Sequence, residues 1–593
     1  MNTEVKHRTD SEAPVATVLA DTQSLKKLFG AATVAVTLQG CGGSSDDVST
    51  IGQGGTAVEG GAVVSEDDAP GPNQKSATPV EPGLMTRPRA ARLLARAGFG
   101  GNAAEIENVR TLGYKGWLAQ QFAMPQTQGR VDWMVANGYY FETADGSPDR
   151  PAAEHTIWRK LISGADVLRQ RVTLALSEIF VISMIPVTLP YRGFATAAFM
   201  DLLEANAFGS YRDLLIGVSK SPAMGKYLSF MGNKKANGLG SSPDENYARE
   251  VMQLFSIGLV KLKLNGTPDL LNGELQPTYT QTDVTQLARV FTGWDASKGP
   301  TGSPKYYHVT TPMFNRESSH EPGASSFLDI TVPAGTDGET SLKLAIDALM
   351  NHPSMAPFIG RQLIQRLVTS NPSPEYVERV ATAFRGDGTA AGAGDMKATI
   401  TAILLDEEAR KREYRESPNR GKLREPMVRF IQWARTFGLT STDNVWNINS
   451  LSSVVTGLGQ SPIRSPSVFN FFRPGYIPPS SSLGNRGITA PEFQIANETT
   501  VCSYINFMQK VISGGIGGMS ADYSALMPLV EHPHDLVSEL DVVLAAGQLS
   551  AETISRLAAA IKTIDVSTPE GRNNRIYAAV TLVMAAPEYL IQK

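Results

Sequence analysis

Arg171-Val172-Thr173-Leu174-Ala175-Leu176-Ser177-Glu178-Ile179-Phe180-Val181-Ile182-Ser183 is the stretch on which the fold turns. Its apolar residues Val172, Ala175, Leu176, Ile179 and Phe180 fall at i, i+3, i+4, i+7 and i+8, one stripe of a helix and not the alternation of a strand. The same period recurs in both directions along the chain, and helices are predicted over 151–163, 280–293, 340–351, 353–369, 425–438, 491–512 and 569–586. Start signals have a mechanism: Ser242-Pro243-Asp244-Glu245 offers a hydroxyl cap, a proline that needs no donor and a glutamate to complete a capping box. Ser373-Pro374-Glu375 repeats part of that scheme. Strand signals are few. Residues 297–338 are rich in Gly, Pro and Ser, which predicts a long ordered loop or small hairpin. Residues 461–491 are irregular too, but Phe469, Phe471, Phe472 and Tyr476 should pin them down. No fixed-period repeat is found, so a solenoid is not expected. The expected class is mainly α: a large multi-helix body over 86–593, with long irregular loops and at most a minor β-hairpin.

A chain of 593 residues, 42% hydrophobic and 19% charged, can bury a sizeable core. Its formal charge of -4 is small, and no Lys/Arg block is present, which argues against nucleic acid as a partner. The cysteines are Cys41 and Cys502. Cys502 falls in an apolar helical stretch, 501–508, and is expected to be an inert buried thiol.

Lys26 and Lys27 precede the apolar run 28–38, which ends in Leu38-Gln39-Gly40-Cys41: a basic start, a short apolar segment and small residues before a cysteine. The run is too short to span a bilayer. The tetrapeptide resembles the lipobox of bacterial lipoproteins, with Gln39 a less usual occupant. It implies that 1–40 are a signal peptide and that Cys41 is acylated. Residues 42–83 hold seven carboxylates against one lysine, with no Leu, Met or aromatic residue, so 41–85 read as a disordered tether. Gly42 after the cysteine resembles outer-membrane rather than inner-membrane sorting. The expected location is therefore exported and lipid-anchored to the cell envelope, with the membrane as a partner through the anchor.

Three strings carry a further likeness: Ala91-Arg92-Leu93-Leu94-Ala95-Arg96-Ala97-Gly98-Phe99-Gly100, Glu245-Asn246-Tyr247-Ala248-Arg249-Glu250 and Phe469-Asn470-Phe471-Phe472-Arg473-Pro474-Gly475-Tyr476. Together with 279–294, 352–366 and Ala586-Pro587-Glu588-Tyr589, they resemble the bacterial family called domain of unknown function 1800, over residues 86–592. The resemblance implies an exported, often lipid-anchored protein, commonly encoded beside a second exported protein of alkaline-phosphatase-like type, and it implies no reaction. Some members carry Trp-His-Asn-His-Phe where this chain has Leu176-Ser177-Glu178-Ile179-Phe180, so no metal role of those histidines carries over.

The strongest candidate chemistry lies on the helix expected to open at Pro243. At 100° per residue Glu245, Asn246, Arg249, Glu250 and Gln253 share one arc, and Ala248, Val251, Met252, Phe255 and Leu259 share the other. Two carboxylates around an arginine can bind an anionic or polyol ligand, or make one carboxyl a general acid; they can equally be an i, i+4 pair. His320, in Ser319-His320-Glu321-Pro322-Gly323, is a candidate base or a histidine that ties down its loop. Arg361, Arg366 and Arg473 offer planar cations for anion recognition or for structural ion pairs. His532-Pro533-His534-Asp535 falls short of a metal signature and reads as a solvated helix start. Ser177, Ser221 and Ser461 lack a G-x-S-x-G frame, and no phosphate-binding glycine string follows a strand. No cofactor or metal is expected. The leading expectation is an envelope lipoprotein whose helical body binds a partner protein or an extracellular polymer. The alternative is an envelope hydrolase of a saccharide or other anionic polymer, with Glu245 or Glu250 as acid and His320 as base.

Overall fold

Caps explain most helix starts. Thr280 accepts from the Asp283 amide while Asp283 accepts from the Thr280 amide, and Asn102 with Glu105 does the same for the helix Ala103–Ala123. Ser373 caps Pro374–Arg385 as its sequence predicts. The computed structural model describes residues 85–141, 149–237, 240–386 and 392–593; the stretches expected to be a signal peptide (1–40) and a tether (41–85, apart from Met85) lie outside them, Cys41 included.

The protein is mainly α. Helices from Arg87–Ala97 to Pro569–Ala585 pack around an apolar core that runs from Ala90 to Tyr589 and takes in the fully buried Trp133, Trp158, Trp294 and Trp433. Among the described residues the strands form four two-stranded antiparallel pairs. One is the small hairpin foreseen in 297–338, Ser325–Phe327 with Ile330–Val332. Another joins Lys422–Leu423 to Ile591–Gln592, so the last residues fold back on the middle of the chain. Among the described residues no helix is long and apolar enough to cross a membrane.

Four local expectations fail for identifiable reasons. The helix read from Arg171 spans Val167–Ser177; Phe180 then closes a turn onto the Leu176 carbonyl, and Ile179 and Phe180 are buried from that turn. No capping box forms at Ser242. Asp244 is held by two bonds to Asn233, its carboxylate accepts from the Asn246 amide, and the helix runs only Asn246–Gln253. That early end also leaves Leu259 exposed rather than on the apolar arc. The stretch 491–512 is broken into a short 3-10 turn, Pro491–Ile495, and a helix Glu498–Gly514 that Asn497 caps. Cys502 is exposed, because that helix buries Thr500, Ser503, Tyr504, Met508, Val511 and Ile512 and turns Cys502 the other way.

Candidate functional site: an arginine-lined cleft

Two helix starts and one loop build the cleft. The Asp149 carboxylate accepts from the Gly193 amide at 2.5 Å, which pins the start of Asp149–Ser163 against the start of Arg192–Ala205. Gly193 lies so close to the Asp149 backbone that a Cβ there would collide with it, so this approach requires glycine. The approach sets Arg150 beside Arg192. After the turn at Phe180 the chain runs extended and pairs with a distant loop: Ser183 bridges Arg464, and the Met184 amide donates to the Ile463 carbonyl at 3.0 Å. That pairing delivers Arg464, whose guanidinium binds the buried Glu154 carboxylate. The result is a cleft of about 540 Å³ lined by Arg150, Pro151, Glu154, Met184, Ile185, Arg192, Asn449, Ser450 and Arg464.

Its charge is unbalanced: three guanidinium groups meet one carboxylate. Arg464 has Glu154, but Arg192 makes only long bonds to the Ile185 and Val187 carbonyls, at 3.4 and 3.3 Å. Among the described residues neither Arg150 nor Arg192 has an ion pair. Desolvation and the charges of Arg150 and Arg464 lower the proton affinity of Arg192, with Asp149 opposing. Burial raises the Glu154 carboxyl, against the pull of Arg464. Beside the cleft, burial lowers His155, whose Nε2 meets Asn449 Oδ1 at 3.4 Å. Met184 and the exposed Ile185 supply an apolar edge. Unpaired arginines next to an apolar wall and two short polar side chains suit an anionic group on a larger molecule.

The residues singled out from sequence fall elsewhere. Glu245 accepts from Thr285 and Gln281, each at 2.7 Å, and from Arg249 at 3.3 Å; these bonds, Thr285 foremost, hold its carboxyl below the usual range despite some desolvation. Arg249 also donates to Gln281, and Asn246 to Ser229. Glu250 has a buried oxygen without a partner, and burial raises its carboxyl against the pull of Arg249. His320 is buried with Nδ1 3.0 Å from the Thr292 carbonyl, while Glu321 pairs with Arg289 at 3.3 Å. Among the described residues no hydrogen bond or ion pair joins Glu245 or Glu250 to His320. Arg361 is half-buried, and Arg473 is exposed with its guanidinium 4.8 Å from the Phe469 ring. Arg366 is in the core, 3.4 Å from Glu178 and stacked on Phe472.

Arg366 belongs to a network that sequence reasoning missed. Lys422 donates to Glu425 at 3.2 Å, to Glu492 at 2.9 Å and to the Gln365 carbonyl, while Arg171 donates to the Arg366 carbonyl. Gln460 and Ser370 donate to Glu425 and Glu492. Burial, and next the negative charge of Glu425, push the Glu178 carboxyl up to about 8. Burial also acts upward on Glu425, but the charges of Lys422 and Arg366 outweigh it and hold that carboxyl down. The signal was present in the opening stretch, where Arg171 and Glu178 flank an otherwise apolar helix end.

Fold and cleft together define a large helical protein with a dry ion network around Lys422 and an open basic cleft around Arg192. The chain belongs to the family of proteins of unknown function DUF1800, whose model matches residues 92–591. No curated protein and no solved structure matches it.

Proposed function

We propose that this is an exported, lipid-anchored protein of the cell envelope, sorted to the outer membrane in the sense of its Gly42, whose body binds an anionic extracellular polymer in the arginine-lined cleft. The observation that carries the binding site is the pair Arg150 and Arg192, which line a cleft of about 540 Å³ and have no ion pair among the described residues. An anionic segment would exchange their hydration for charge-assisted hydrogen bonds, and Arg464, already bound to Glu154, would keep the cleft wall in place. The lipobox-like Leu38-Gln39-Gly40-Cys41 supports the address. Binding is preferred to a hydrolase built on Glu245, Glu250 and His320, since the acid and base of that set are bonded to different neighbours.

The test is titration of the soluble body with uronate and sulfated oligosaccharides, with neutral oligosaccharides as the control. Arg150→Ala with Arg192→Ala should weaken binding of the anionic series by about tenfold or more and flatten its salt dependence. Equal affinity for charged and neutral sugars sinks the reading. Capture of an exported alkaline-phosphatase-like protein that competes with neither sugar would move the partner to another face. Labelled palmitate incorporated by the wild type and lost in Cys41→Ala tests the anchor.

A further inference from the structure

Four exposed leucines lie on a narrow ribbon that the cleft does not use. Residues 259–278 fold into three short runs: the Lys261 amide donates to the Gln276 carbonyl, and the Asp269 amide to the Lys261 carbonyl. Leu270–Leu271 then pair antiparallel with Glu274–Leu275 across a turn in which Asn272 and Gly273 both adopt positive φ, 55° and 86°. The base is fastened to the body, since the Leu262 amide donates to Ser354 Oγ at 3.0 Å and Leu264 packs on the core. The tip is not: Leu270, Leu271 and Leu275 are 49%, 61% and 59% exposed, and Leu259 at the ribbon's root is 57% exposed. A two-stranded tip has no apolar partner of its own, and such a cluster in water is a cost that some contact should relieve.

We propose that this leucine tip seats in the surface of a lipid bilayer, as a second contact beside the acyl anchor. This rests on the location given under Proposed function, and three features favour lipid over a protein partner. The leucines sit on a two-residue antiparallel pair closed by a tight turn, a small apolar tip that a soft apolar phase accommodates without shape complementarity. Lys261 and Lys263 are exposed toward the ribbon's root, with no ion pair among the described residues, where they can meet lipid phosphates. Only residues 42–84 separate Cys41 from the first described residue, Met85, so an acylated Cys41 keeps the body close to the bilayer and a weak contact is made at high effective concentration. Asp269 and Glu274 offset the two lysines, so the leucines supply most of the attraction.

The experiment uses the full chain as Cys41→Ala, which removes acylation and separates this contact from the anchor. Vesicles of phosphatidylethanolamine and phosphatidylglycerol should co-sediment the protein, and the added triple change Leu270→Ser, Leu271→Ser, Leu275→Ser should lower the bound fraction about tenfold with an unchanged melting temperature. Vesicles of phosphatidylcholine alone should retain part of the binding. A Leu271→Trp reporter should shift its emission to the blue on adding vesicles. No binding by the Cys41→Ala chain, equal binding by the serine variant, or an emission unmoved by vesicles each overturns the proposal. So does a leucine-dependent dimer in solution that vesicles do not dissociate. Failure here with palmitate still on Cys41 leaves the anchor standing.

Discussion

The ion network around Lys422 and the cleft around Arg192 are made of the same side-chain types and differ in how completely those side chains are partnered and how much water reaches them. In the network, Arg171, Arg366 and Lys422 face Glu178, Glu425 and Glu492, and all six are buried. In the cleft, three arginines share Glu154 as the one carboxylate among the described lining residues, Arg150 is exposed and Arg192 is half-buried. Closed inventories specify a fold, because their cations and carboxylates lie within reach of one another, even though Arg171 Nε and Nη1 and both Glu178 oxygens make no hydrogen bond among the described residues. Open ones leave recognition capacity for something outside the chain. Clustered arginine is therefore uninformative until its carboxylates have been counted.

The largest effect should come from breaking the network. Lys422→Met strands Glu425 and Glu492 in the core without their shared cation, and should cost about 3–5 kcal/mol by chemical denaturation. Arg150→Ala, on the open side of the comparison, should change stability by no more than about 0.5 kcal/mol. Similar costs for the two would erase the distinction.

Titration sharpens the contrast. Glu178 has its proton affinity raised on folding, so the folded state keeps a proton that the unfolded chain has released. Its contribution is complete below the ordinary glutamate range and is lost as pH rises toward about 8. Glu425 has the opposite sign: its contribution is present above the ordinary range and is lost in acid. The melting temperature should therefore fall by roughly 2–5 °C between weak acid and mild alkali. Glu178→Gln, which imitates the protonated acid, should remove most of that fall. A remainder is expected from Asp541, which burial raises to about 7. An unchanged slope in Glu178→Gln would mean that the network does not hold its proton at position 178.

How much of this was legible depends on the range of the interaction. Helix class, the Ser373 and Thr280 starts and the Ser325–Val332 hairpin are local, set by residues a few positions apart, and they read correctly. The Ser242 cap failed because Asn233, nine residues upstream, competes for Asp244. Cys502 misled because an apolar run does not say which of its sides meets the core. The cleft was illegible for a stronger reason. Arg150, Arg192 and Arg464 are brought together by the Asp149–Gly193 contact and the Ser183–Arg464 bridge, and neither leaves a periodic trace. Glu245 and Arg249 lay within one helix and were easy to notice, which is also why their pairing says least about function.

The smallest effect should come from that pair. Glu245 is about one-third exposed and binds Arg249, Gln281 and Thr285 across two helix starts, so it is neither dry like Glu178 nor, like Arg192 among the described residues, without an ion pair. Exposed i, i+4 pairs contribute roughly 0.2–1 kcal/mol, and Gln at 245 can still accept from Thr285. Glu245→Gln should therefore lower stability by less than about 1 kcal/mol, and high salt should shrink the difference further. Oligosaccharide affinity should not move, because the cleft does not include this residue. A loss of binding without a loss of stability would show that the polar face of Asn246–Gln253 is a second recognition surface. The comparison would then need three terms: a closed network, an open cleft, and a partnered face that ligand can still reach.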